Sequence, residues 1–449
     1  MSGRKYLYCL IALLIFLTGF CFRYESATHT KVIQPIRADA LEYVLSAFNL
    51  RLNGVYSKEV PDNPGKPITP DAARNPGYPL FLAAFIDKMP DEAMISKICL
   101  YQVIVSSLTL ILSFILFRAF LPVPLALGGC LLAALTPHLI VANSYLLTET
   151  LFCFFVMLFV ATMSLFWRRQ SPWLLFAAGI MMGLSVLVRP GLQYFLPVVI
   201  LFLAHQYGFK RGVWLGGIMM LGLCLVISPW IMRNLATLGV ASDNTQMITF
   251  LHDGMYPDFV LEGEPRSYPY PSLSDPRTKE IEKDLWSVLS EIARRFHDEP
   301  TRHLAWYLIG KPNSLWSWSI VQGMGDVFIY PVSSSPYLSN PLFKSTHLVM
   351  HFLHNPLVVL AFAACMTVFF PLSRGNLPSE SVATVRFISL LLLYCTAVFM
   401  MGYPDSRYTI PLRPLMYGMA LFFPYIQFRL TMHGECEGRV RSCMESNAT

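Results

Sequence analysis

Charged residues are scarce in this sequence. Only 14% of its 449 residues are Asp, Glu, Lys or Arg, against about 25% in soluble domains. Hydrophobic residues make up 54% and fall in long runs that suit lipid, which excludes an ordinary water-soluble enzyme. Two phosphate-binding signatures are missing, the Walker loop and the dinucleotide glycine fingerprint. No internal repeat is visible. With so much of the chain in lipid, the net charge of +6 does not signal a nucleic-acid partner. The placement of Lys and Arg matters more, because it sets membrane orientation.

The long hydrophilic loops contain no cysteine. Of ten cysteines, Cys9, Cys21, Cys99, Cys130, Cys153, Cys224, Cys365 and Cys395 lie in or beside apolar runs, and Cys436 and Cys443 lie in the polar tail. That distribution argues against disulfides and for small apolar packing residues. Cys436 and Cys443 have no matching ligand pair, so no metal is assigned.

Ten apolar runs are long enough, or nearly so, to span a bilayer. They are Tyr6–Phe22, Ala93–Phe117, Pro122–Val141, Tyr145–Trp167, Trp173–Val188, Leu192–Tyr207, Val213–Met232, Thr346–Phe370, Phe387–Gly402 and Tyr408–Phe428. With a cytoplasmic N-terminus, every short inner connection is basic: Arg118, Arg168 with Arg169, Lys210 with Arg211, and Arg374. Arg4 and Lys5 precede the first run, and Arg429, Arg439 and Arg441 follow the last. The positive-inside bias then puts both termini in the cytoplasm. The first helix is expected to be retained, since no clean small-residue cleavage site follows it.

The expected fold is an all-α polytopic membrane bundle of about ten transmembrane helices with amphipathic outer-loop helices. Residues 1–240 form an N-terminal transmembrane module with a first outer loop at 23–92. A second outer loop, 233–345, is an amphipathic cover. Helices at 346–428 and a cytoplasmic tail at 429–449 complete the chain. In the second loop the spacing predicts a helix over Lys279–Phe296, and Trp306, Trp316 and Trp318 suit the lipid headgroup level. The run Tyr78–Ile86 is too short to cross and reads as interfacial or re-entrant.

Charged side chains in or beside spanning helices default to functional candidates. Seven of them sort to the outer side. Asp39 and Glu42 lie in the first loop, and Arg74 precedes Pro-Gly-Tyr-Pro. Glu149 begins the fourth run. Arg189 lies in "LVRPG", Arg233 in "SPWIMRN" and Arg407 in "YPDSRYTIP". The stretch Ala38–Asn53 has helical spacing, with Leu41, Val44, Leu45, Phe48 and Leu52 on one face and Asp39, Glu42, Ser46, Asn49 and Asn53 on the other. A single carboxylate on such a helix is ordinarily just solvated, and a single arginine at a helix end ordinarily snorkels. Four arginines on one side call for an anion, and arginine is the preferred partner of a phosphate. A lipid-linked phosphate fits, since its tail would lie in the bilayer. An acceptor hydroxyl needs a base, a role open to Asp39, and a leaving phosphate needs fixed cations, a role open to Arg74 with Arg233.

The segments "RADALEYVLSAFNLRLNGVYS", "ARNPGYPLFLAAF", "LLTETLFCFF", "GLSVLVRPG", "SPWIMRNLATLG" and "YPDSRYTIPLRP" together resemble the GT-C membrane glycosyltransferases. The closer likeness is to the protein O-mannosyltransferase and lipid A aminoarabinose transferase group, in its bacterial dolichyl-phosphate-mannose mannosyltransferase-like branch. The resemblance covers about the first 240 residues and, weakly, the last helix. It implies sugar transfer from a polyprenyl-phosphate carrier at the outer face of a bacterial inner membrane, usually with inversion. It implies Asp39 as catalytic base, Glu149 as its support and Arg74 as the contact to the carrier phosphate. Beside it, the residues themselves offer Glu42 as a further catalytic carboxylate, Arg189, Arg233 and Arg407 as further carrier-binding cations, and Tyr43 and Tyr78 as substrate-binding candidates. No cofactor is implied, though a divalent cation at Asp39, Glu42 and Glu149 stays open. Glu42 comes three residues after Asp39, so the adjacent Asp-Glu pair of the protein O-mannosyltransferases is missing, which argues against a protein acceptor of that kind. The acceptor is unread: glycan, lipid or protein.

Two other classes remain. An O-antigen ligase or polymerase would place its key residues in the second loop. A lipid or solute transporter would place polar groups at the midplane and have symmetric halves.

Overall fold

A computed structural model describes residues 2–60, 67–370 and 377–446, with side chains from 3 to 431. Arg374, and the side chains of Arg439, Arg441, Cys436 and Cys443, lie outside the described residues. In chain order the helices begin with α1 (Ser2–His29), α2 (Ala38–Phe48), α3 (Gly77–Ala83), α4 (Glu92–Phe117), α5 (Val123–Leu135), α6 (Pro137–Val141) and α7 (Glu149–Arg169). Next come α8 (Pro172–Val188), α9 (Phe195–Tyr207), α10 (Phe209–Leu238) and α11 (Thr245–Gly254). The second loop adds α12 (Thr278–Ile281), α13 (Leu285–Asp298), α14 (Pro300–Ala305), α15 (Lys311–Leu315) and α16 (Pro336–Ser339). The chain then continues in α17 (Pro341–Thr367), α18 (Ser379–Met401) and α19 (Arg413–Ser446). Strands β1 (Lys31–Val32) and β2 (Val332–Ser334) pair antiparallel and tie the two polar loops together.

Each of the ten apolar runs is helical. Among the described residues, six helices are long and apolar enough to cross a membrane, or seven if the bent pair α5–α6 counts as one span. That is fewer than the ten runs suggest, because α8, α9 and α19 are shorter or more polar. The chain is an integral membrane protein. One hydrophobic core runs through the bundle, and a second, built on Leu251, Met255, Tyr256, Ile281 and Val288, holds the second loop together.

Two prolines break helices, and each break has its own donor. Pro137 lacks the N–H that Ala133 O would accept in a continuous helix. The guanidinium of Arg23, almost fully buried, fills the gap. It donates to Ala133 O at 3.1 Å, Ala134 O at 3.0 Å, Gly19 O at 3.0 Å and Ser106 Oγ at 2.8 Å. Arg23→Met is expected to destabilise the fold, at about 1–3 kcal/mol for each buried polar group left unpaired. Thermal unfolding in detergent measures this, and an unchanged midpoint would mean that other donors reach the α5–α6 break.

Several expectations change in the second loop. The helix foreseen over Lys279–Phe296 is split into α12 and α13, because Asp284 caps a new start by accepting from Ser287 N at 2.8 Å. Trp306, Trp316 and Trp318 are buried within the protein rather than exposed to a headgroup layer. Their indole N–H groups go to Gly254 O, Thr396 Oγ1 and Asp326 Oδ1. Lys311 Nζ donates to the carbonyls of Met400, Met401 and Gly402, capping α18 and docking the loop on the bundle.

Candidate active site

The helix foreseen from Ala38 forms as α2 and runs on into a wider turn over Asn49–Asn53. Its polar face is only partly open to solvent. Ser46 and Asn49 are fully buried, and Asn49 Nδ2 donates to the carbonyls of Ser57 and Glu59 at 2.8 Å. The returning chain is thereby folded over α2, which brings Arg74 back above Asp39 and Glu42.

The second proline break fixes Arg74 and Arg189 together. Pro190 lacks the N–H that Val186 O would accept, so α8 stops at Val188. Asn75 Nδ2 takes that carbonyl at 2.7 Å. A Cβ on Gly77 would lie 2.6 Å from the Leu187 backbone, so only glycine lets the turn seat this closely. The Arg-Asn-Pro-Gly sequence is therefore a clamp on the end of α8, just before Arg189.

Arg407 is aimed by the buried Asp405. This carboxylate accepts from the backbone N–H of Arg407 at 3.0 Å, Gln322 at 3.2 Å and Val321 at 3.3 Å. Glu149 opens α7, where its charge complements the helix dipole.

These residues converge at one end of the bundle. Asp39 Oδ1 accepts from Arg74 Nη2 at 2.6 Å and Asp39 Oδ2 from Arg407 Nη1 at 3.0 Å. Arg407 Nε donates to Glu149 Oε1 at 2.5 Å. Arg74 Nε donates to Glu42 Oε2 at 2.6 Å, and Lys58 Nζ holds the other Glu42 oxygen at 3.0 Å. Arg189 Nη1 lies 3.6 Å from Glu149 Oε1, within ion-pair range but too far for a hydrogen bond, and this buried nitrogen has no hydrogen-bond partner. Arg74 stacks over Tyr43 and Arg189 over Tyr408. Lys58, Arg74, Arg189 and Arg407 are thus interleaved with Asp39, Glu42 and Glu149.

Burial pushes the Asp39 carboxyl up, but Arg407 and Arg74 outweigh it and hold it at about 2, below its ordinary 3.8. Asp39 is therefore ionised across the physiological range, and both its oxygens are occupied.

Two expected site residues lie apart from this cluster. Arg233 donates to the backbone carbonyls of Asp71 at 2.6 Å and Tyr56 at 2.9 Å, while Tyr56 OH donates to Arg74 O. It thus braces the Arg74 segment. Tyr78 is fully buried behind Tyr43, edge-on at 5.3 Å, with its hydroxyl on Gln102 Oε1. Tyr43 itself belongs to the cluster. Asp39, Glu42 and Glu149 are separated by the arginines they share, and no group of three or more acidic, His or Cys ligands among the described residues is arranged to hold a metal. Sequence reasoning missed Lys58, Asp405, Tyr408 and Gln246; Gln246, on α11, accepts from Arg74 Nη1 at 3.3 Å. Only the Pro-Asp-Ser-Arg turn around Asp405 carried a readable signal.

The family described as dolichyl-phosphate-mannose-protein mannosyltransferase matches residues 75–232. No curated protein matches. The oligosaccharyltransferase AglB of Archaeoglobus fulgidus, in complex with an inhibitory peptide and a dolichol-phosphate, is similar in structure. It shows 13% identity and a TM-score of 0.52, over 98% of this chain and 52% of that one. Its apo form gives 14%, 0.53, 98% and 53%. ArnT of Cupriavidus metallidurans, bound to undecaprenyl phosphate, matches at 13% identity over 96% of this chain and 77% of that one, with a TM-score of only 0.37. This chain spans about half the length of AglB. The expected GT-C membrane-glycosyltransferase fold is therefore the fold observed.

Proposed function

We propose that this chain moves a sugar from a polyprenyl monophosphate carrier to an acceptor hydroxyl at the outer face of the membrane. Asp39 is the base. Arg74, Arg189 and Arg407 receive the phosphate. The observation that carries this reading is a single carboxylate bracketed by two guanidiniums, with the unsatisfied Arg189 donor beside them. The matched family and the dolichol-phosphate bound by AglB support it.

Asp39 takes the acceptor's proton as its oxygen attacks the anomeric carbon from the side opposite the phosphate. The bond from the anomeric carbon to the phosphate oxygen breaks, and its electron pair leaves with the phosphate. The arginines meet the charge that develops there.

Deleting the gene is expected to enlarge the pool of lipid-linked sugar and remove one modification from a surface glycan. Unchanged pools and glycans would count against the reading. Outer-face action rests on the basic inner connections. In a background lacking the exposed Cys9, Cys21 and Cys224, a cysteine replacing Leu273, which is 82% exposed, is expected to react with an impermeant maleimide from outside. A cysteine at Ser379 is expected to react only from the cytoplasm. The reverse pattern would put the site on the wrong side.

A further inference from the structure

We propose that Arg74 is a shared ligand that trades the Asp39 carboxylate for the carrier phosphate, turning on a tether formed by Glu42 and Lys58. This rests on the function proposed above and adds an order of events to it.

Three observations point this way. First, Arg74 divides its donors. Nε is bound to Glu42 and Nη2 to Asp39, while Nη1 makes only a longer contact to Gln246. Losing Asp39 therefore leaves Arg74 still held at Nε, because Lys58 fixes Glu42 from its other oxygen. Second, the two arginines on Asp39 are not equivalent. Arg407 is 5% exposed and clamped by Glu149, whereas Arg74 is 18% exposed and lies at the open edge. Arg74 is the one that can turn. Third, both Asp39 oxygens accept from guanidiniums. A carboxylate whose lone pairs already accept from two guanidiniums is a poor proton acceptor. A phosphate offers Arg74 the same charge and the same fork of acceptors, so the exchange keeps its ion pairing while freeing Asp39 Oδ1.

The consequence is an ordered cycle. The carrier-linked donor binds first and unmasks Asp39. The acceptor is then activated only when there is a sugar to transfer. Lys58 and Glu42 act through Arg74 and are positioning residues.

The test is a double-mutant cycle on lipid binding. The full chain is held in phosphatidylcholine nanodiscs, and the probes are undecaprenyl monophosphate and uncharged undecaprenol. Asp39→Asn is expected to tighten monophosphate binding by roughly tenfold, the size of one charge-assisted hydrogen bond no longer competed for. In an Arg74→Gln background the same change is expected to tighten binding by less than about threefold, because the competing guanidinium is gone. Arg74→Lys serves as a second background if the glutamine variant unfolds. Lys58→Ala is expected to weaken monophosphate binding, and Lys58→Arg to restore it. If Asp39→Asn tightens binding equally in both backgrounds, simple charge repulsion accounts for it and the exchange is overturned. No tightening in either background overturns it as well. If the wild-type chain does not distinguish monophosphate from undecaprenol, the proposed function itself fails.

Discussion

Asp39→Asn is expected to lower single-turnover sugar transfer by about 10²–10⁴-fold, the usual range for loss of a general base. The change keeps the size of the side chain but leaves one acceptor oxygen, enough for only one of Arg74 and Arg407, and removes the lone-pair basicity. Carrier binding is expected not to weaken, since the phosphate-binding arginines remain and Arg74 is released, so the defect should appear in the chemical step. Glu42→Gln is expected to do less, because Glu42 meets only Arg74 and Lys58. A wild-type turnover rate in Asp39→Asn would remove Asp39 as base, and a defect wholly in binding would make it an arginine-positioning residue. The pH dependence supplies a further sign. A carboxyl held at about 2 stays charged above that value and protonates only as pH falls through it. Asp39 in the donor-free protein is thus expected to produce no acid limb near its ordinary 3.8 in the profile of kcat/KM.

Arg407→Met is expected to be the most destabilising single change at the site. Glu149 is 1% exposed, and its Oε1 depends on Arg407 at 2.5 Å, with Arg189 standing off at 3.6 Å. Removing one partner of a buried pair typically costs about 3–5 kcal/mol, because the other charge is left uncompensated. Asp39 also loses one of its two guanidiniums. Adding Glu149→Gln to Arg407→Met is expected to restore a large part of the stability, since a neutral amide tolerates the site better than an orphan carboxylate. Denaturation of the purified variants gives both values. If the double variant is no more stable than Arg407→Met, the Glu149 charge is not the source of the loss.

Much of this site was legible in the sequence because charge is rare in a membrane chain. Asp39, Arg74, Glu149, Arg189 and Arg407 stood out against apolar surroundings, and the structure gathers them. The stop of α8 before Pro190 was readable, since the fifth run ends at Val188, whereas the run Pro122–Val141 was read straight through the break at Pro137. The groups that answer these two breaks were not readable. Arg23 and Asn75 meet their carbonyls across 111 residues of sequence, and no local pattern encodes such a partner. The polar face of α2 looked solvated because helical spacing reports which residues share a face, not what later chain covers it. Trp306, Trp316 and Trp318 misled in the opposite direction. Amphipathic rings suit a headgroup layer, but these found buried acceptors within the protein. Arg233 shared the side and charge of the cluster, and only geometry showed its donors turned to the carbonyls of Asp71 and Tyr56.

Transfer differs from transport in which bond breaks, and one measurement separates the two. The purified chain in liposomes is given a polyprenyl-phosphate sugar labelled separately on the carrier and on the sugar, with a membrane extract as the source of acceptor. Free polyprenyl monophosphate should appear in step with sugar on the acceptor, and both should slow together with Asp39→Asn. A donor that stays intact while the wild-type chain remains folded, or a sugar that moves across the bilayer still attached to its carrier, would contradict transfer and point to transport instead.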